Sequence, residues 1–330
     1  MPSLSNLLVP AVLFFALGFF ARVVRSDLRF PPDLAKLLSI YLLVAIGIHG
    51  GHELGRADLM TAVNAVFWAI VLGVSLPLLG YAVLVATRKV DALNAAAIAA
   101  HYGSVSAGTF LTAIAYLRSS GVEFESYPVI MLAVMESPAI VAGLLLAARA
   151  RQIEGARNGD DNPTARNRSS LLHEAFTNGS VVLLLGSMAI GAIAAPKALE
   201  AISPFVNDIF MGMLCLFLLE MGMEAARRIE EFRRVGIVLA AFGVLMPLVS
   251  AVIGILIGHY ALGFGVGGTT LVAVLAASAS YIAVPPAMRL AVPEANPSLY
   301  LTLSLGITFP FNVVVGIPLY HRLATLLAGG

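Results

Sequence analysis

Apolar stretches of about twenty residues recur along the whole chain, and this recurrence limits the possible folds more than any other feature. A helix needs about 20 residues to cross the hydrocarbon core of a bilayer, which is about 30 Å thick. About a quarter of the residues in a soluble domain are charged, whereas here 12% are charged and 59% are apolar. The sequence therefore predicts an all-α membrane protein surrounded by a lipid bilayer.

Ten such stretches can be counted, and we interpret each as a transmembrane helix. The predicted spans are Leu7 to Val24, Leu34 to Gly51, Met60 to Ala86, Ala92 to Leu117, Tyr127 to Ala148, Gly179 to Ala195, Phe205 to Met223, Val235 to Ala261, Gly267 to Ala291 and Ser298 to Leu327.

Basic residues are distributed unevenly between the two sides of these spans. Sixteen of the 20 Lys and Arg residues lie in or beside the loops that follow odd-numbered spans. The other side holds Arg56, Arg118, Lys197 and Arg322. Because cytoplasmic loops carry the excess of basic residues, this bias predicts odd-numbered loops in the cytoplasm. Both termini are then on the periplasmic side of the cell inner membrane.

One long polar segment divides the spans into two groups of five. It predicts a cytoplasmic linker at residues 150–177, between a first five-helix repeat at 1–149 and a second at 178–330. An odd number of spans per half makes the second repeat inverted relative to the first. Span two ends in GIHGGHELGR (Gly47 to Arg56) and span seven ends in GMEAAR (Gly222 to Arg227), each with a Glu three residues before the Arg.

Spans four and nine contain residues that interrupt helices. Gly103 to Gly108 of span four reads GSVSAG, and span nine has Ser278, Ser280 and the pair Pro285 and Pro286. Non-helical backbone is tolerated at membrane depth only where protein or water satisfies its polar groups. We therefore predict two broken helices that cross at the membrane midplane, with half-helix N-termini that hold a small anion. The alternative is that these small residues only allow close helix packing.

A carboxylate lies in the middle of span five. Glu136 is costly in a bilayer, so we expect it to face a partner or a cavity. Oxygen donors suit sodium, which makes Glu136 with Ser106 and Thr109 the candidate cation site. The alternative is a protonated structural glutamic acid. Thr308 and Asn312 flank Pro310 at the equivalent place in span ten; lining the same cavity and hydrogen bonding between helices are equally compatible with their positions.

Other function classes find no support in the sequence. It has neither a His-Glu-x-x-His metalloprotease pattern nor a Gly-rich loop followed by Gly-Lys-Ser, so we do not expect an enzyme. The formal net charge of +1 gives no reason to expect a nucleic-acid partner. A transporter remains, and a non-transporting anion sensor is its alternative from another class.

Several segments together resemble the sodium-dependent bicarbonate permease family known from cyanobacteria. They are GGTTLVAVLAASASYIAVPPAMRLAVPEANPSLY from Gly267, GMEAARRI from Gly222, AVMESPAIV from Ala133, and Ile46 to Gly51. The resemblance covers nearly the whole chain. It implies a homotrimer that takes up bicarbonate with sodium, and a PII-like cytoplasmic regulator. The linker is shorter than in cyanobacterial members, which weakens the case for that regulator.

The resemblance also implies positions for ligands: Ser104, Ser106, Gly108 and Thr109 match the family's first broken helix, and Ser278 and Ser280 match its second. Together with the breaks themselves, this leads us to expect the substrate-binding residues to be Gly103, Ser104, Ser106, Gly108, Thr109, Ser278, Ser280, Tyr281 and Pro286, and the sodium ligands to be Glu136, Ser106, Thr109, Thr308 and Asn312. Glu136 stands where the family has an aspartate, and Tyr281 replaces an acidic residue. Because that replacement adds a ring and removes a charge, another small anion such as a monocarboxylate is the alternative substrate.

Overall fold

A computed structural model describes residues 10–55, 58–158, 179–229 and 236–329. All regular secondary structure in these ranges is helical. The helices are α1 (Pro10–Val23), α2 (Pro32–Leu54), α3 (Leu59–Thr87), α4 (Ala92–Gly103), α5 (Ala107–Ser119), α6 (Tyr127–Asn158), α7 (Gly179–Ile193), α8 (Pro196–Ser203), α9 (Phe210–Ile229), α10 (Ile237–Leu256), α11 (Val266–Ala277), α12 (Val284–Ala291) and α13 (Pro297–Ala328).

Five helical runs in the described residues are long and apolar enough to cross a membrane. They are Leu59–Thr87, Tyr127–Ile153, Pro196–Arg228, Ile237–Ala261 and Pro297–Ala328. Shorter apolar helical segments lie at Pro10–Val23, Lys36–His52, Val182–Ile193 and Val266–Ala277. Large apolar side chains remain exposed on the outer helices, for example Leu59 and Ile237. Such a surface is stable only against lipid, so the chain is a helical, multi-pass membrane protein.

Polar side chains define where the central helices begin. The Asp58 carboxylate accepts a hydrogen bond from the Thr61 backbone N–H at 2.8 Å at the start of α3, and this bond lowers the pKa of Asp58. Asp91 accepts one from the Asn94 N–H at 2.8 Å at the start of α4. A capping carboxylate satisfies a backbone donor that the helix itself cannot, and its charge favours the positive end of the helix dipole.

Reciprocal glycines hold α1 against α9. Gly18 of α1 lies on the backbone carbonyl of Leu219, and Gly222 of α9 lies on that of Phe15. A Cβ at either glycine would overlap with the carbonyl oxygen that faces it. Small residues allow helix backbones to approach closely in membranes, where packing replaces the hydrophobic effect as the driving force.

The pairing of α2 with α7 uses the same device. Gly51 of α2 lies on the carbonyl of Met188, and Gly191 of α7 lies on the carbonyl of Ile48. Six of the other helices form two trios with matching partners. Helices α3, α4 and α6 pack on one another, and so do α10, α11 and α13.

Three helical runs differ from the predicted spans. The run Pro196–Arg228 extends beyond both ends of the predicted span seven, Phe205 to Met223. Helix α6 continues beyond residue 149, the predicted end of the first repeat, to Asn158. Arg151 on this extension forms an ion pair with Glu294 at 2.7 Å, so the extension packs on the second half of the chain. In α13, residues Thr302–Thr308 and Asn312–Gly316 are wound as π-helix on either side of Pro310. Proline lacks the N–H that an α-helix needs, and a wider turn accommodates that loss.

Candidate functional site

Spans four and nine are both interrupted, as the sequence predicts. Residues Ser104 to Ser106 separate α4 from α5, and Ser278 to Ala283 separate α11 from α12. Helix α12 begins at Val284, so Pro285 and Pro286 lie in its first turn, where a missing N–H costs nothing. The side chain of Pro286 lies outside the described part of the chain.

The two breaks bond directly to each other. The Ser280 backbone N–H donates to the His101 carbonyl at 2.8 Å, and the Ser106 N–H donates to the Ser278 hydroxyl at 3.0 Å. Each break therefore satisfies a backbone group that the other would leave unpaired. This mutual pairing is what allows irregular backbone to persist at membrane depth.

Serine hydroxyls also cap the helices that restart after the breaks. The Ser106 hydroxyl accepts from the Thr109 N–H at 3.1 Å and from the Thr109 hydroxyl at 2.9 Å. The Val284 N–H at the start of α12 donates to the Ser280 hydroxyl at 3.4 Å. A helix has four N-terminal N–H groups without intrahelical acceptors, and a cap satisfies only some of them. The start of α5 at Ala107 and Gly108 therefore retains donors for a ligand.

A small cavity lies beside the paired breaks. Its volume is about 30 Å³, which is room for a small ion or a water molecule or two. Its lining combines polar groups from both halves of the chain: Ser39, Ser106, Glu136, Ser280 and Tyr281. The apolar part of the lining is Leu42, Leu43, Val105, Ala107, Gly108, Leu111, Phe217 and Ile282.

Two polar groups in this cavity are unsatisfied. Glu136 is buried, with 8% of its surface exposed, and its Oε2 atom has no hydrogen-bond partner in the described chain. The Tyr281 hydroxyl likewise forms no hydrogen bond of ordinary geometry, although Ser106 and Glu220 lie near it. Buried polar groups are almost always hydrogen-bonded, so an orphaned pair beside a cavity indicates a place for a ligand.

Tyr281 covers the start of α5. A Cβ at Gly108 would overlap with the Tyr281 hydroxyl and lie 2.9 Å from Cε1 of Phe217. The Tyr281 ring also packs edge-on against Phe309, with the centroids 5.3 Å apart. The ring therefore limits the size of any molecule that reaches the N–H groups of α5.

The predicted site residues near the breaks and in span five, apart from Pro286, separate into three groups. Ser106, Gly108, Ser280, Tyr281 and Glu136 meet around the cavity. Thr109 and Ser278 hold Ser106 from behind, without lining it. Gly103 packs against the ring of Pro77, and the buried hydroxyl of Ser104 has no hydrogen-bond partner among the described residues.

The structure does not bring Thr308 and Asn312 into this cavity. The Thr308 hydroxyl donates to the Gly243 carbonyl at 2.7 Å and pairs with the Tyr102 hydroxyl at 2.6 Å. Asn312 donates to the Ala277 carbonyl at 2.9 Å and accepts from the Tyr320 hydroxyl at 2.8 Å. The bonds to Gly243, Tyr102 and Ala277 join α13 to other helices and match the alternative considered from the sequence. A sodium-binding role for Thr308 and Asn312 stays a prediction.

The structure adds Ser39 and Phe217 to the site. Both come from helices whose sequences show no interruption near these residues, α2 and α9. The feature of the sequence near Phe217 that could have indicated a site is Glu220, a carboxylate about one helical turn further along α9. Groups of three or more His, Cys, Asp and Glu side chains that would hold a transition metal do not occur in the described ranges.

Replacing Ser278 by alanine is expected to destabilise the protein by about 1–3 kcal/mol, because the Ser106 N–H loses its acceptor inside the membrane. Thermal unfolding of the detergent-purified protein measures this. Ser119→Ala is a control, since Ser119 is exposed and, among the described residues, its hydroxyl donates only to the Tyr116 carbonyl one turn earlier in its own helix, α5. Equal melting temperatures for native protein and Ser278→Ala would show that the contact between the breaks contributes no stability.

Comparison with known protein families gives one match. The model of the Na⁺-dependent bicarbonate transporter superfamily matches residues 10–325. No curated protein sequence matches significantly. The family match spans both breaks, Glu136 and nearly the whole chain. The chain therefore belongs to the Na⁺-dependent bicarbonate transporter superfamily.

Proposed function

We propose that this protein takes up bicarbonate together with sodium, and that both ions bind where the two broken helices meet. The observation that carries this proposal is the cavity of about 30 Å³, on which the N-terminus of α5 and the carboxyl group of Glu136 converge from different helices. One element favours negative charge and the other favours positive charge. Family membership supports the same pair of ions.

The anion would bind at the start of α5. Ala107 and Gly108 begin this helix and line the cavity, and hydroxyls of Ser106 and Ser280 lie beside them. Backbone N–H groups and hydroxyls bind the oxygen atoms of a monoanion without a formally charged side chain. The small volume, further limited by Tyr281, favours a one-carbon anion over larger monocarboxylates.

The cation would bind at Glu136. This carboxyl group is buried in α6, and within the described ranges no group donates a hydrogen bond to its Oε2 atom. Sodium prefers hard oxygen ligands, and hydroxyl and carbonyl oxygens at the break in span four are the nearest candidates. A cation there would neutralise the carboxylate and add positive charge beside the anion, which couples the binding of the two ions.

The packing supports the proposed five-plus-five inverted repeat with boundaries near the linker at 150–177. In both segments a glycine, Gly51 or Gly222, stands two residues before the Glu, and a neighbouring helix packs on each of these glycines. Helices α1 and α7 are the first spans of the two proposed repeats, and α2 and α9 are the second. Exchange of the two repeats therefore turns the pair α1 and α9 into the pair α7 and α2, which is also in contact.

The position of the protein in the cell follows from the sequence predictions. We propose ten spans in the cell inner membrane with both termini periplasmic, on the basis of the basic-residue bias. The homotrimer and the PII-like regulator remain expectations from the resemblance. Most of the linker, residues 159–177, lies outside the described residues.

Uptake of labelled bicarbonate into proteoliposomes tests the proposal. We expect an inward sodium gradient to increase initial uptake several-fold over an equal potassium gradient. Uptake that ignores the sodium gradient would contradict the coupling. Saturable bicarbonate binding without any flux would contradict transport and favour the sensor alternative, and stronger competition by a monocarboxylate than by unlabelled bicarbonate would contradict the substrate.

A further inference from the structure

A second, larger cavity lies next to the central one, further along α2 and α5. Its volume is about 510 Å³. Its lining comes from α2, from the end of α5, from the start of α9, and from the segments that lead into α6 and α9. The same three helices line the central cavity. Ala45 and Ile114 of the larger cavity follow Leu42 and Leu111 of the smaller one by about one helical turn each. We name the larger cavity the vestibule.

The vestibule has a fixed positive charge in its wall. Among the described residues that line the vestibule, Arg118 at the end of α5 provides this charge, and its side chain is exposed to solvent. Its guanidinium carbon lies 5.9 Å from the centre of the Phe210 ring, and its Nη2 atom is 3.5 Å from Nε2 of His49. Neither neighbour carries a negative charge that would neutralise the guanidinium.

The ion pairs of the described residues do not occupy the guanidinium group of Arg118. Within the described residues the ion pairs are Arg151 with Glu294, and Arg227 and Arg228 with Glu224, and Arg118 takes part in none of them. Glu123 also lines the vestibule without pairing with Arg118. An arginine presents five N–H donors in a planar fork that fits the two oxygen atoms of a carboxylate-like anion.

We propose that Arg118 is the first binding site for the transported anion, a planar oxyanion of the carboxylate or bicarbonate class, before the anion moves to the central cavity. This inference rests on the proposed function. Helix α5 rises about 1.5 Å per residue, which places Arg118 about 15 Å from the anion site at Gly108. Arg118 therefore cannot touch an anion that is bound at Gly108. Its effect is to concentrate anions at the entrance.

The sequence predicts that this entrance faces outwards. Arg118 is one of four Lys and Arg residues on the predicted periplasmic side. Because basic side chains are sparse there, few other cations compete with Arg118 for an approaching anion. The cytoplasmic side, with its excess of arginines, offers no such contrast.

Kinetics of bicarbonate uptake test the role of Arg118. We expect Arg118→Gln to raise the KM for bicarbonate about tenfold, the typical effect of losing a charge-assisted hydrogen bond, and to leave the maximal rate unchanged. Arg118→Lys keeps the charge and should recover part of the affinity. Glu123→Gln should lower the KM, because it removes a negative charge from the same cavity.

A matched control is Arg322→Gln, which removes an exposed arginine from α13, on the same predicted side but outside the vestibule. Its KM should equal that of native protein. An unchanged KM for Arg118→Gln would overturn the inference, and so would a lower maximal rate at constant KM, because that pattern indicates a structural role.

Failure of the inference and failure of the proposed function can be told apart. Stabilisation of the detergent-purified protein by sodium bicarbonate or sodium formate, with sodium chloride as reference, is measured by thermal unfolding and needs no transport. We expect half-maximal stabilisation at a higher anion concentration for Arg118→Gln than for native protein. Suppose that native protein transports bicarbonate, and that the anions stabilise native protein and Arg118→Gln with the same half-maximal concentration. Then only the inference is wrong.

Discussion

Replacing Glu136 by glutamine is expected to reduce sodium-dependent bicarbonate uptake at least tenfold. The amide keeps the size of the side chain but removes its negative charge, and it offers a cation one oxygen in place of two. Interactions with charged groups contribute about 1.5–3 kcal/mol each, which corresponds to a loss of affinity of about tenfold or more. The measurement is initial uptake as a function of sodium concentration.

The same substitution separates the two interpretations of Glu136. A buried carboxyl group with an unpartnered oxygen contributes little to stability, so Glu136→Gln should unfold at the native temperature or above it. If Glu136 were purely structural, Glu136→Gln would instead lower the melting temperature, and its bicarbonate uptake would keep the native dependence on sodium. Native sodium dependence in Glu136→Gln would end its assignment as a cation ligand.

A surface carboxylate provides the control for this experiment. Glu294 forms an exposed ion pair with Arg151 on the extension of α6. Surface ion pairs contribute about 0–1 kcal/mol. Glu294→Gln removes the same charge as Glu136→Gln, and we expect its uptake to match that of native protein.

Local sequence was sufficient to predict the two breaks. Hydrophobic length identifies a span, and a cluster of Ser, Gly and Pro inside it marks where the helix stops, because both effects act within a few residues. Gly103 to Gly108 and Ser278 to Pro286 were predicted on these grounds, and the structure interrupts both spans there. The expectation that Glu136 faces a cavity also follows from a local cost, that of a carboxylate in lipid.

Contacts between distant helices were not predictable in the same way. Thr308 was placed near Glu136 by the analogy between spans five and ten, yet it bonds to Gly243 and Tyr102. Its partner is chosen by the packing of α13 on α10, which no local pattern encodes. Ser39 and Phe217 join the site for the same reason, since their helices happen to face the breaks.

The end of α6 shows a limit of hydropathy itself. A change from apolar to charged residues predicts where a helix leaves the bilayer, and α6 does become polar at Arg149. It does not predict where the helix ends, because a helix continues in water when side chains support it. Here Arg151 bonds to Glu294 and to the Ala291 carbonyl, and the helix runs to Asn158.

Gly103→Ala is expected to be the most destabilising single methyl addition near the breaks. Gly103 is the last residue of α4, and a Cβ there would overlap with Cγ and Cδ of Pro77 and lie 3.0 Å from the Pro77 nitrogen. A proline ring inside a helix cannot rotate away, so α4 must move from α3. Overpacking of this kind costs about 1–3 kcal/mol and occasionally more.

Such a movement would also reach the site, because α4 carries both the His101 carbonyl that accepts from Ser280 and the turn that leads to Ser106. We therefore expect Gly103→Ala to lower both the melting temperature and bicarbonate uptake. Gly212→Ala is the matched control: Gly212 lies within α9 with open space around it, and alanine there should be neutral or stabilising by up to about 1 kcal/mol. Equal melting temperatures for the two variants would show that α4 tolerates displacement from Pro77, and that close contact between α3 and the first break does not hold the site in place.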